Sequence, residues 1–359
     1  MSGTEAANEI RAQTGAPPPA MDERLAHVGV IARVLQRPEV GAFAGAVAVF
    51  VLFTASAPSF ATLDGEAVWL DVAANFGIMA VPVALLMIGG EFDLSAGVMV
   101  GSTGLVLGLL VTELDMNVWP AIVLTLLFGA AVGLTNGVMV VWTGLPSFIV
   151  TLGTFFVLQG VNLGVTNAIT GTVRVADIDL GSGFESASKL FASTFWEPHF
   201  FTVAVVWWLA LTALGTWMLT RTRFGNWIYA AGGNPVAARS VGVPVAFTKI
   251  TLFVMTSTTA ALLGVMTALS LRSVQAGQGI GNEFRYIIAA VVGGCLLTGG
   301  YGSVIGASIG ALIMGMAEIG IPFSGWNSDW RFLFLGIILV LAVLLNTTIR
   351  KRAEEARRR

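Results

Sequence analysis

Charge is what this sequence most lacks. Only 11% of its 359 residues are Asp, Glu, Lys or Arg, against roughly 25% in an ordinary soluble domain. Hydrophobic residues make up 55%, and mean hydropathy is +0.82. A water-soluble domain has no interior large enough for that much apolar surface, so the fold class is an all-α polytopic membrane protein. Cysteine is nearly missing too. Cys295 stands alone, which excludes an intramolecular disulfide and any Cys-based metal site. The two histidines, His27 and His199, have no ligand-like spacing. There is no Gly-Lys dipeptide, hence no P-loop, and no His-Glu-x-x-His. No catalytic residue, metal site or cofactor bound by this chain is expected. No strongly basic domain argues for nucleic acid.

What is present is a series of apolar runs, each approaching the roughly 20 residues that cross a bilayer. They centre within 40–57, 67–88, 94–112, 118–141, 147–169, 199–220, 247–270, 284–298, 302–319 and 330–347. The expectation is about ten transmembrane helices in a domain over 39–348. Residues 1–38, with Pro17-Pro18-Pro19 and scattered charge, read as a partly disordered cytoplasmic tail. Residues 349–359 read as a basic cytoplasmic tail. Ala55-Ser56-Ala57 resembles a signal-cleavage site, but the polar lead before it is longer than a whole signal peptide, so cleavage is not expected.

Basic residues mark the cytoplasmic side of a membrane protein. With ten spans and both termini inside, fourteen of the nineteen Lys and Arg fall inside, including Arg221, Arg223, Arg239 and Lys249. Only Arg174, Lys189, Arg272, Arg285 and Arg331 fall outside. The segment 229–245 is then cytoplasmic. The loop of about 170–198 is external, where a soluble partner has room to dock.

Four stretches carry the functional reading. "GGEFDLSAG", Gly89 to Gly97, combines a Gly-Gly turn with Asp93 or Ser95 as a helix cap, capping being the favoured role for Asp93. Glu91, Asp93 and Ser95 are also candidates for a gate. "GLPSFIVTLGTFFVLQG", Gly144 to Gly160, starts a helix at Pro146-Ser147. Phe148, Phe155, Gln159 and Asn162 are its candidates for lining a solute path, although amides in a span more often bind neighbouring helices. "YAAGGNPVAARSVGVPV", Tyr229 to Val245, encodes a very short helix, with Asn234 as cap, Pro235 at the first position and Gly242 as the stop. So short a helix must lean on something. "VGGCLLTGGYGSVIGASIG" resembles "IGGEFDLSAGVMVGSTG", a weak hint of an internal repeat. No chain of mid-span acids suits a proton-driven carrier.

In this order and spacing, the four stretches resemble the sugar-importing ABC permeases, the ribose, xylose and galactose group, over about residues 65 to 347. Glu91-Phe92 stands where many relatives have a single Ile. The resemblance implies the ABC importer permease fold in a bacterial inner membrane, working as two permease copies that open alternately to either side. It implies an ABC ATPase subunit, which holds ATP and Mg, and a periplasmic or extracellular sugar-binding protein. It also gives the short helix its partner. Asn234, Pro235, Ala237, Ala238, Arg239 and Gly242 resemble the importers' coupling element, Glu-Ala-Ala-x-x-x-Gly, with Val236 in place of the acid. The alternative reading is an ion-coupled secondary transporter of a small polar solute.

Overall fold

The computed structural model describes residues 38–358, and the tail expected to be partly disordered over 1–38 lies almost wholly outside them. The chain is helical with short irregular links. In order the helices are α1 (Pro38–Ser56), α2 (Leu63–Ile88), α3 (Ala96–Thr112), α4 (Val118–Thr143) and α5 (Ser147–Thr170). Then come α6 (Phe184–Phe191), α7 (Val203–Arg221), α8 (Arg223–Gly233), α9 (Pro235–Ser240) and α10 (Val245–Leu271). The last three are α11 (Asn282–Val292), α12 (Val304–Phe323) and α13 (Trp330–Arg358). Two small antiparallel pairings interrupt them: β1 (Arg174–Val175) with β4 (Val274–Gln275), and β2 (Thr194–Phe195) with β3 (Phe201–Thr202).

Local chemistry sets the ends. Thr62, Asn117 and Ser303 cap α2, α4 and α12 by accepting from the N–H of Gly65, Trp119 and Gly306 at 3.2, 3.0 and 3.2 Å. Gly144 and Gly171 stop α4 and α5 in the left-handed conformation. Within the helices, hydroxyls return to the preceding turn, as Thr103, Thr125 and Thr256 do to Met99, Ala121 and Leu252. A polar side chain in lipid must find such a partner within the protein.

Among the described residues seven helices are long and apolar enough to cross a membrane, with α3 and residues 330–344 of α13 as shorter apolar helices. The run expected over 284–298 does not form one span. Its helix, α11, ends at Val292 after eleven residues, about 16 Å at the standard rise and so roughly half a bilayer. The apolar run continues past it, but Gly293-Gly294 turns the backbone, with Gly294 at φ 93°.

That turn repeats the one that ends α2. Gly89 and Gly293 sit at φ −69° with ψ −3° and −2°. Gly90 N–H donates to Met87 O at 2.9 Å and Glu91 N–H to Leu86 O at 3.1 Å; Gly294 to Val291 at 2.9 Å and Cys295 to Ala290 at 3.0 Å are the counterparts. The repeat hinted at by the sequence is therefore a shared C-terminal turn geometry. The links that follow differ, five residues before α3 and nine before α12.

The core is built around α2, α10 and α12, most of whose residues are buried, while α1, α5 and α7 bury only about a fifth of theirs. Glycine permits the close packing. A side chain at Gly315 of α12 would meet Ala73 of α2 at 2.5–2.6 Å, and one at Gly133 of α4 would meet the backbone of Phe253 and Val254 of α10. Gly153 of α5 has no such neighbour within 4 Å. Gly315→Leu is thus expected to lower the thermal unfolding temperature in detergent, by overpacking worth about 1–3 kcal/mol. Gly153→Ala should leave that temperature unchanged or raised.

Candidate functional site

The short helix forms as its sequence dictates. The Asn234 side-chain oxygen accepts from the N–H groups of Val236 and Ala237 at 3.1 and 3.0 Å, Pro235 opens the helix, and Gly242 closes it at φ 84°. α9 leans on its own chain: Ala238 is buried in a cluster with Ala231 of α8 and Val245 of α10. This corrects one expectation. Ala238 seats the helix rather than offering close approach to a partner, because its methyl group points inward. The outward face is Val236, Ala237, Arg239 and Ser240, continued by Val241, with Val236 70% and Val241 80% exposed.

The linker between α2 and α3 lies beside this element. A side chain on Gly90 would meet Gly232 of α8 at 3.2 Å, and the Gly300 N–H donates to Ile88 O at 2.8 Å. Backbones approach this closely only where Cβ atoms are missing. Glu91 is 7% exposed and pairs with Lys249, the fifth residue of α10. The linker is therefore held on both sides of α9, by α8 before it and by the foot of α10 after it.

Asp93 closes the turn that leads into α3, two residues before the N-cap position, Ser95. Its Oδ1 accepts from the Ser95 N–H at 2.8 Å and from the Ser95 hydroxyl at 2.5 Å, whereas Ser95 itself makes no side-chain cap bond. Ser95 in turn accepts from Asn136 of α4 at 3.1 Å, and Asn136 accepts from the Thr154 hydroxyl of α5 at 2.6 Å. Backbone donors of the linker finish the connection: Phe92 N–H to the Ser147 hydroxyl and Leu94 N–H to the Thr151 hydroxyl, both at 3.0 Å. The other Asp93 oxygen is buried without a partner. Glu91 thus ties the linker to α10, Ser95 ties it to α4 and the linker backbone ties it to α5, with Glu91, Asp93 and Ser95 all buried.

The α5 candidates do not gather into one site. Phe148 is half exposed, Phe155 packs against the main core, and Gln159 is half-buried. Asn162 is buried, with its amide nitrogen unpartnered. The groove of about 530 Å³ between α4 and α5 is apolar and contains none of the four. Sequence reasoning missed Lys249, Asn136 and Thr154. Lys249 had a signal, as one of the few cations beside an apolar run; the other two had none.

One Gly-x-Ser-x-Gly occurs, Gly306 to Gly310, but it is not a nucleophile elbow. It lies inside α12, and the Ser308 hydroxyl bonds that of Thr212 at 3.0 Å.

Residues 67–343 match the family model described as "Branched-chain amino acid transport system / permease component". The chain belongs to this family. It is 32% identical over 322 residues to the "Probable ABC transporter permease protein YphD" of Escherichia coli strain K12, covering 89% of this chain and 92% of that one. It is also 32% identical to the "Ribose import permease protein RbsC" of the same strain, over 80% of this chain and 87% of the other. The "Xylose transport system permease protein XylH" of that strain is 31% identical, over 77% and 83%. No solved structure matches. These relatives are transport permeases, and this chain is a membrane transport subunit, not an enzyme.

Removing one member of a buried ion pair strands the other, at a cost of about 3–5 kcal/mol. Lys249→Met alone should therefore lower the unfolding temperature of the purified permease more than the double variant Glu91→Leu with Lys249→Met. A thermal-shift double-mutant cycle measures the difference.

Proposed function

We propose that this chain is the permease subunit of an ATP-driven importer of a monosaccharide or related polyol. The observation that carries the reading is α9, a helix capped at both ends and seated by Ala238, whose apolar Val236 and Val241 face away from the rest of the chain. In a transport permease that surface suits a separate ATPase subunit, which would hold the ATP and Mg. Relatives are named for import of ribose, galactose or methyl galactoside, and for xylose transport, which favours a sugar over the amino acids of the family description. Their naming as import and ABC permeases argues against the ion-coupled alternative.

The finer points belong to the same reading. The seven long helices, the two shorter apolar ones and α11 make ten membrane-embedded elements, with α9 and both termini on the cytoplasmic side. The 174–202 segment is then external and available to a sugar-binding protein. A second permease copy would pair along α5, where Gly153, Gly160 and Gly164 have no neighbour within 4 Å and Phe156 and Val157 are more than 60% exposed. Motion of α9 under ATP-driven closure would reach the α2–α3 linker through Gly232 and Lys249, and from there α4 and α5.

Two measurements test the reading. Proteoliposomes with the permease alone should neither hydrolyse ATP nor accumulate sugar, and both activities should appear once ATPase and binding-protein subunits are added. Uptake by the lone permease under an ion gradient would overturn this. Val236→Asp with Arg239→Glu, both on the outward face of α9, should abolish ATPase co-purification while the protein still inserts normally; wild-type assembly would remove the coupling role.

A further inference from the structure

A cavity of about 300 Å³ lies within a single copy of this chain, walled by α2, α7, α10 and α11 and closed on one side by Phe191 and Ala192 of the 174–202 segment. No residue of α5 lines it. Its volume is at the small end of the range for ligand pockets, about 300–1,000 Å³.

The wall is unusually polar for a bundle of apolar helices. Asp71 and Asn75 stand one turn apart on α2, opposite Gln278, Asn282 and Arg285. Ionisable groups at membrane depth cost about 2.5–3.5 kcal/mol each on insertion scales, so two of them on one cavity need a reason. Their bonding is only partly internal. Asp71 Oδ1 accepts from the Thr202 hydroxyl at 2.7 Å, and its second oxygen has no donor among the described residues. Arg285 lies over the ring of Phe76 at 5.8 Å, with Glu318 at 3.8 Å.

This chemistry selects among ligands. A single carboxylate on the wall is too few for a divalent cation. Glu318 pairs with Arg331 as well as with Arg285 and so offsets Arg285 only in part, but the Asp71 carboxylate on the same wall disfavours an anion. A lipid chain would leave the second Asp71 oxygen unpaired, although Asn75 already donates to Asp71 O at 2.8 Å and Gln278 accepts from the Gln275 N–H at 3.3 Å. What remains is a small neutral solute that offers and accepts several hydrogen bonds. We propose that this cavity is a low-affinity site for a polyhydroxylated solute, with Asp71 as acceptor, Arg285 as donor and the Asn75, Gln278 and Asn282 amides as both. It would be a waiting site inside each permease copy, reached from the side of the 174–202 segment. The proposal rests on the sugar-import reading and extends it.

The test uses full-length permease in nanodiscs without binding protein, probed by saturation-transfer NMR with D-ribose, D-galactose and erythritol, and with leucine as comparison. At least one polyol should show transfer from the protein. Gln278→Leu, on the irregular segment before α11, removes a polar group without disturbing helix packing, and Thr267→Phe fills the cavity from α10. Each should weaken the titrated affinity by about fivefold or more, the loss of roughly one net hydrogen bond. No polyol signal in the wild type, an unchanged affinity in either variant, or leucine transfer lost in both variants in place of the polyols would overturn the proposal. Uptake by the complete importer is scored separately. Import without polyol transfer would overturn the cavity alone, whereas failure to import any sugar would overturn the import reading itself.

Discussion

At the foot of α2 three chain segments pass within backbone contact of one another, and glycine makes that possible. Gly90 of the linker, Gly232 of α8 and Gly299-Gly300 before α12 leave no room there for a Cβ atom. The gain is in hydrogen bonding. A buried carbonyl at a helix end has no water to satisfy it, and Ile88 O, on a fully buried residue, is instead met by the Gly300 N–H. Because backbone, not side chain, fills this junction, it has little slack. Displacing any one of the three strands must displace the others.

The short helix is tied to this junction. α9 has too few residues to be stable alone, and its caps supply only about 1 kcal/mol apiece. Ala238 fixes it to α8 and α10, and those two helices hold the linker at Gly90 and Glu91. Beyond Glu91 the connection becomes polar, through Asp93, Ser95, Asn136 and Thr154. A chain of buried hydrogen bonds is directional and costly to break, so it fixes the linker against α4 and α5.

Much of this was legible in the sequence wherever the determinant was local. The Asn234 cap, the Gly242 stop and the Asp93 turn each depend on residues within a few positions, and each forms as its residue type allows. Span limits were readable for the same reason, since Gly144 and Gly171 end helices by their own conformation. α11 was misread because the apolar run outlasts the helix, and hydropathy does not register a Gly-Gly turn. The Glu91–Lys249 pair joins residues 158 positions apart, and no local pattern encodes that. The α5 amides show the opposite limit: residue type suggested a path, but helix phase turned Asn162 inward.

The lone cysteine has a practical consequence. Cys295 is 2% exposed, behind the turn that ends α11. A thiol so enclosed is poorly accessible to maleimide or methanethiosulfonate reagents, so the native sequence already serves as a quiet background for spectroscopy. A cysteine placed at Val241, on the exposed side of the short helix, would carry a spin or fluorescent label with little competing signal. The environment of such a label could then be followed through a transport cycle without first rebuilding the core around Cys295.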